Sequence, residues 1–242
     1  MISVLTLTYK RHHLLEEAIE SFLRQELPPQ CEMVIINDNA EVDYKLDHPN
    51  VRIINHKERF SSIGAKLEWG YKQCKYNYIY RLDDDDLLTP WALANTAQDI
   101  LENPTYDIYR SYGMWMFDNN KYMGKSSNVN NGNVYTKIFL DGIEFPSTSF
   151  GEDVTITYYS GGRIYQSKLP YTMIYRWGMN TSHISGLGEM SSEDINKKAD
   201  KLLKYTSKGT VQLEPKFLND YYTDIKKDLK DEKDKSKMDT TA

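Results

Sequence analysis

The chain has 242 residues, enough for one sizeable domain or a domain with a small appendage. A net charge of −5, from 30 basic and 35 acidic side chains, gives no general attraction to nucleic acid or anionic membrane, though a local basic groove is compatible with it. No run of about eighteen apolar residues is present, so no membrane-spanning helix is expected. Cys31 and Cys74, in no metal-like spacing, argue against a disulfide framework and for a reducing compartment. The N-terminus lacks the basic–apolar–cleavage order of a signal peptide, and a soluble, cytoplasmic protein is the expectation.

In chain order, ISVLTLT (2–8) is rich in β-branched residues and reads as a buried strand. Over 12–25, Leu14, Leu15, Ala18, Ile19, Phe22 and Leu23 fall on one helical face, and the prolines at 28–29 close the element. CEMVIIN (31–37) and VRIIN (51–55) are further strands, 62–75 a helix and YNYIYRL (76–82) a strand. Pro90 suits the first turn of a helix reaching Asn103. This alternation predicts an α/β fold with a mostly parallel sheet and helices on both faces. The second half differs: a hairpin over 106–126 turning at Asn119–Asn120, a Gly/Asn/Ser-rich loop at 125–133, and strands at 163–168 and 171–176. Helical patterns return at 192–205 and 215–229, and the mixed-charge end has the composition of a disordered tail.

The densest chemical signal is YIYRLDDDDLLTP (78–90), four aspartates directly after a strand. In doubly wound sheets ligands sit beyond the carboxyl ends of the strands, at the switch point. Alternation along extended chain would turn Asp83 and Asp85 the same way, a hard-oxygen pair suited to Mg²⁺ or Mn²⁺. The plainer reading is a solvated acidic turn whose last aspartate caps the following helix.

Five segments in order carry a resemblance. ISVLTLTYKR is similar to the first strand and nucleotide-binding turn of family-two inverting glycosyltransferases with the GT-A fold. VIINDNA (34–40) resembles that family's strand ending in an Asp-Asp-Gly-Ser-type turn, and SSIGAKLEWGY (61–71) its Ser-Ala-Ala-Arg-Asn-x-Gly helix start. YIYRLDDDDLLTP resembles the Asp-x-Asp motif with its following proline. The stretch from FGEDV to YRWGMNTS (150–182) resembles the Glu-Asp motif, the next strand and a Tyr-Arg segment.

The resemblance implies a GT-A domain over 1–190, with a nucleotide-sugar half (1–105) and an acceptor half (106–190). A helical extension would follow over 191–230, and a disordered tail over 231–242. It implies a nucleotide-diphosphate sugar donor, with uridine the usual base. Thr8 and Tyr9 would contact base and ribose, with Arg11 near the nucleotide. Asp38 would read the base, with Asn37 replacing a common aspartate. Lys66 would lie near the diphosphate. Tyr9 as a packed aromatic and Lys66 as a solvated helix lysine are the plainer alternatives.

Alignment through Pro90 makes Asp85 the direct ligand of Mn²⁺ or Mg²⁺, with Asp83 or Asp84 near the ribose or a metal-bound water. His183 would be a third metal ligand or a phosphate contact. Asp153 would be the catalytic base and Glu152 would orient the acceptor or the loop, unless the pair merely charges a helix N-terminus. Arg176 and Trp177 would pack the far wall of the site.

The interval from Asp85 to Asp153 is short for the family, which implies an open acceptor side suited to a polysaccharide, a glycoprotein or a hydroxymethylated DNA base. Lysines at 197, 198, 201, 204 and 208 would line such a path or form a solvated helix face. A nucleotidyltransferase and a catalytically inactive sugar-nucleotide or glycan-binding module are the competing classes. The first usually needs a glycine-rich basic loop after strand one, and TYKRHHLLEE has no glycine.

Overall fold

The computed structural model describes residues 1–26, 30–127, 131–177 and 207–239, with side chains described as far as residue 231 in the last segment. Its centre is a seven-stranded sheet. β1 (Ile2–Thr8), β2 (Cys31–Asn37), β4 (Val51–Asn55) and β5 (Tyr78–Arg81) come from the first half, and β7 (Ile108–Arg110), β10 (Val134–Thr136) and β11 (Ile164–Gln166) from the second. The spatial order is β11-β7-β10-β5-β1-β2-β4, and only β10 runs against its neighbours. This is the mixed, mostly parallel GT-A architecture that the sequence predicts.

Burial on both faces explains why β1 and β2 read as continuous apolar runs. Ile2, Val4, Met33 and Ile35 pack on one face with Leu15, Ile19 and Phe22 of α1 (His12–Leu23) and Leu93 of α3 (Ala92–Glu102). Leu5, Leu7, Val34 and Ile36 pack on the other with Leu67 and Tyr71 of α2 (Ile63–Gln73) and Phe139 of α4 (Lys137–Asp141). From β1 the chain winds outward through β2 to β4, then crosses back to place β5 on the other side of β1. The carboxyl ends of β1 and β5 therefore meet at the switch point.

A second sheet, ordered β6-β12-β8-β9, stands beyond this end: β6 (Leu87–Leu88), β8 (Met114–Asp118), β9 (Lys121–Ser126) and β12 (Met173–Trp177). Asn119 and Asn120, both with positive φ, make the turn of the expected β8–β9 hairpin. β3 (Val42–Lys45) pairs with β13 (Gly209–Gln212), and Ile225 of the last helix, α6 (Tyr222–Asp239), packs with the preceding Tyr221 on Trp115 and Phe117 of the second sheet.

Several elements depart from the sequence reading. β3, β10, α4 and β13 were not expected. They are short, and their apolar residues face neighbours distant in sequence, which leaves no local period to read. The end expected to lack structure from 231 is helical as far as Asp239. Lys227 with Asp231 and Asp231 with Lys235 stand at the i,i+4 spacing that supports a helix without an apolar face. Cys31 and Cys74 are buried and unbonded. Among the described residues no helix is long and apolar enough to cross a membrane.

The start of α2 fastens a distant loop. Ser62 caps the helix, its Oγ accepting from Ala65 N at 3.0 Å. The neighbouring Ile63 N–H donates to Ser149 Oγ at 3.0 Å, and Gly64 N–H to the Thr148 carbonyl at 3.0 Å. A Cβ on Gly64 would lie 1.9 Å from the Pro146 carbonyl oxygen, so only glycine permits this approach. Gly64→Ala is expected to displace the 146–149 segment and cost roughly 1–3 kcal/mol, the range of an overpacked contact. Urea denaturation of the variant and of Ala65→Gly, which perturbs the same turn without a clash, checks this.

Candidate active site

Three clusters meet at the switch point. The first is built on Asp38, just after β2. The preceding Asn37 is spent on structure, its Nδ2 donating to the Val42 carbonyl at 2.7 Å and to Asn55 Oδ1 at 3.0 Å. Asp38 is buried and held from two sides. Oδ1 accepts from Lys66 Nζ at 2.6 Å and Arg59 Nη1 at 3.0 Å, and Oδ2 accepts from Phe60 N–H at 3.2 Å. A carboxylate oxygen has two lone pairs, so Oδ2 retains capacity for a further donor such as a base N–H.

Lys66 also donates to the Thr8 carbonyl at 2.7 Å. Two of its three N–H donors are thus held by Asp38 and β1, and the lysine is buried, not the solvated helix lysine of the plainer reading. Burial pulls it down to about 8, against the pull of Asp38. The Arg59 guanidinium also lies 3.3 Å above the Tyr9 ring, closing one side of this pocket.

The second cluster is the aspartate run. Residues 83–86 are not extended: Asp86 N–H donates to the Asp83 carbonyl at 3.2 Å, making a tight turn. The turn sends Asp84 toward β1 and gathers the other three, one carboxylate oxygen from each lying within 4.8 Å of the others. The expected pairing of Asp83 with Asp85 is present, by a turn in place of strand alternation, and Asp86 joins it.

Each carboxylate has a cationic or amide partner from elsewhere. Arg11 forks onto both oxygens of Asp84 and reaches Asp85 Oδ2 at 2.8 Å. Asn131 Nδ2 donates to Asp83 Oδ2 at 3.2 Å and Asp86 Oδ2 at 2.9 Å. Arg176, fully buried in β12, gives its N–H to Asp86 Oδ1 at 3.0 Å and its Nε–H to the Asp85 carbonyl. Its Nη1 pairs with buried Glu17, which also accepts from Tyr221 OH at 3.0 Å and Leu218 N–H at 2.9 Å. The segment leading into α6 is thereby anchored to the floor of the site.

Burial and the adjacent carboxylates push Asp86 well above the usual carboxylate range, and burial pushes Asp84 up to about 6 in spite of Arg11. The residues fit a divalent cation. Three hard carboxylate donors converge, their mutual charge is only partly compensated, and an N–H₂ group fills the gap between two of them.

The third cluster is the loop at Gly151, whose φ of +67° turns the chain into the one-turn helix α5 (Glu152–Val154). Arg81, the last residue of β5, ties it to the aspartate turn. Its Nη2 donates to Glu152 Oε1 at 2.7 Å and to Asp83 Oδ1 at 3.1 Å, while Nη1 stands 3.9 Å from Asp153 Oδ2. Burial, with help from Asp153 and Asp83, pushes Glu152 up to about 6 against the pull of Arg81. Asp153 is the more exposed carboxylate of the pair.

The profile of Glycosyl transferase family 2 matches residues 3–168, which contain all three clusters. The chain belongs to that family. It is 34% identical over 103 residues to the uncharacterized glycosyltransferase YwdF of Bacillus subtilis, covering 41% of this chain and 38% of YwdF. The fold is that of S. aureus TarS. TarS 1–349 in complex with UDP-GlcNAc matches with a TM-score of 0.63 at 17% identity, over 86% of this chain and 68% of that one. The longer TarS chain matches with a TM-score of 0.56 at 18% identity, over 74% of this chain and 37% of that one. The chain thus spans less than two fifths of the length of YwdF and of the longer TarS.

In this family 2 chain the structure brings together Thr8, Tyr9, Arg11, Asp38, Lys66, Asp83, Asp84, Asp85, Glu152 and Asp153 around one end of the sheet. His183 and the lysines at 197, 198, 201 and 204 lie outside the described residues. Lys208 is described, and its Nζ stands 3.4 Å from Glu41 Oε1. Sequence reasoning missed Asp86, Arg81, Asn131, Arg59 and Glu17, and gave Arg176 only a packing role. Asp86 had a readable signal, since an aspartate-rich run favours a turn over an extended strand. The others act across separations that no local pattern encodes.

Arg11 against buried Asp84 yields a pH-dependent prediction. The folded state holds the Asp84 proton more tightly than the unfolded chain, so this group's contribution to stability falls as pH rises from about 4 to 6. Arg11→Met leaves the carboxylate uncompensated and is expected to cost about 3–5 kcal/mol at pH 8. Without Arg11 the Asp84 carboxyl holds its proton to higher pH still, so the loss should shrink as pH falls from 8 toward 6 and level off below that, where both proteins carry the proton. Chemical denaturation of both proteins at pH 5.5 and pH 8 measures the difference.

Proposed function

We propose that the chain transfers a sugar from a UDP-sugar to an acceptor hydroxyl with inversion at the anomeric carbon, Asp153 serving as general base. The observation that carries this reading is the convergence of the Asp38 pocket, the aspartate turn and the Gly151 loop at one switch point, the latter two joined by Arg81. Family membership and the UDP-GlcNAc and UDP complexes of TarS support a uridine donor.

Asp38, fixed by Lys66, Arg59 and the Phe60 amide, accepts the N–H of the base, and Tyr9 and Thr8 border base and ribose. Asp83, Asp85 and Asp86 hold the divalent cation, Mn²⁺ or Mg²⁺, which when bound neutralises the departing diphosphate. Arg11 holds Asp84 and Asp85 in place as the donor enters. The acceptor oxygen attacks the anomeric carbon from the face opposite the diphosphate. The bond from that carbon to the phosphate oxygen breaks with its electron pair going to UDP, and the hydroxyl proton passes to Asp153 Oδ. Arg81, reaching both the aspartate turn and the base loop, sets the distance between leaving group and base. The short acceptor side favours a large acceptor over a small one.

Calorimetric titration of UDP with and without Mn²⁺ tests the donor site. Binding is expected to depend on the metal, and Asp85→Ala to lose that dependence. Asp153→Asn is expected to retain UDP binding within about threefold while release of UDP from a UDP-sugar drops by 10²-fold or more, as for loss of a general base. Unchanged turnover in this variant would remove Asp153 from the mechanism. Absence of UDP binding by the wild type would remove the uridine donor, and UDP binding indifferent to Mn²⁺ would remove the metal from its recognition.

A further inference from the structure

The Asn131 side chain is placed by a built segment. Gly132 follows with a φ of +72°, and a Cβ there would lie 2.7 Å from Met173 Sδ. Asn133, fully buried, gives its Nδ2–H to Thr157 Oγ1 at 2.9 Å and accepts the Arg81 N–H on its carbonyl at 3.0 Å. The amide of Asn131 is thereby carried to the two carboxylates it bridges, at 3.2 Å from Asp83 Oδ2 and 2.9 Å from Asp86 Oδ2.

Ionised carboxylates only accept, so without a cation the N–H₂ end of the amide must face them. A cation among Asp83, Asp85 and Asp86 reverses that preference, because it repels the N–H dipole and attracts the carbonyl oxygen. The two ends of an amide are nearly the same size, so a half-turn puts Oδ1 where Nδ2 was. The spacing suits that role. Adjacent oxygens in an octahedral Mg²⁺ or Mn²⁺ shell, each about 2.1 Å from the ion, lie about 3.0 Å apart. The amide end already stands at this separation from two of the three carboxylates.

Resting on the metal reading above, we infer that Asn131 is a fourth protein ligand of the divalent cation: its amide bridges Asp83 and Asp86 through N–H₂ when the ion is absent and turns Oδ1 to the ion when it binds. The same residue thus relieves carboxylate repulsion in one state and completes the oxygen set in the other. It also couples the cation to the 131–133 segment, which borders both β5 and the base-side residue Thr157.

Titration of Mn²⁺, followed by the electron paramagnetic resonance signal of the free ion in the presence of UDP, tests this on the full chain without an activity assay. Asn131→Ala is expected to weaken Mn²⁺ binding tenfold or more, and Asn131→Asp, which keeps an oxygen at the position, to hold it at wild-type strength or tighter. Asn131→Leu, which keeps the bulk, repeats the test should the alanine variant fold poorly. Equal or tighter Mn²⁺ binding by the alanine or leucine variant would overturn the inference, since the amide would then only fill a gap between carboxylates. Asp85→Ala separates the two claims. Wild-type uptake that survives this substitution, or no uptake by the wild type, removes the metal site and Asn131 with it. Uptake that needs Asp85 but not Asn131 removes Asn131 alone.

Discussion

Four consecutive carboxylates at the end of β5 repel one another, and the surrounding structure is arranged to contain that repulsion. Arg11 comes from the turn after β1, Arg176 from β12 of the second sheet, Arg81 from β5 itself and the Asn131 amide from the segment before β10. Removing the Arg11, Arg81 or Arg176 side chain leaves buried Asp84, Glu152 or Glu17, respectively, short of its cation, which costs more than the pair contributes when intact. The partial compensation matters as much as the compensation. Burial and crowding still hold Asp84 and Asp86 above the usual carboxylate range, so the cluster retains an affinity for positive charge.

This constraint explains why the second half of the chain cannot be a loosely attached acceptor module. β7, β10 and β11 are strands of the same central sheet as β1 and β5. β12 sends Arg176 back beneath the aspartate turn, and the Arg176–Glu17–Tyr221 chain then fixes the segment entering α6. A fully buried charged pair is weak evidence for stability, since apolar residues of equal volume would often do as well. Here it specifies position: it joins α1, β12 and the C-terminal segment at one point below the candidate metal site.

The central sheet was legible in the sequence because strands buried on both faces leave unbroken apolar runs, as in ISVLTLT and CEMVIIN, and α1 leaves a clear 3.6-residue stripe. Asp38, Asp85 and Asp153 stood out as candidates because each sits in a short stretch that resembles a family motif, and the fold gathers all three at one end of the sheet. What escaped reading was the set of partners. Arg81 looked like one more strand residue, Glu17 like a solvated helix glutamate and Asn131 like part of a polar loop. Their roles depend on contacts to residues 71, 159 and 48 positions away, respectively. Local periodicity carries no trace of such contacts. For Lys66 the motif gave the neighbourhood, and the fold adds the 2.6 Å contact to Asp38 that no local pattern encodes.

In the proposed transfer the buried Arg81 guanidinium would serve both sides of the reaction. A leaving group and a general base must lie on opposite faces of the anomeric carbon, so they need separate supports, yet the distance between them must not drift. Here the supports are the aspartate turn and the Gly151 loop. The Arg81 guanidinium spans them through Asp83 and Glu152, leaving Nη1 toward Asp153. Ser149 and Thr148, bonded to the start of α2, fix the loop from its other end, and α2 also carries Lys66 to Asp38. The Asp38 pocket, the aspartate turn and the Gly151 loop therefore share two elements, β5 and α2. Under the proposed reaction, such a geometry would favour moving the substrates into register over moving the catalytic groups.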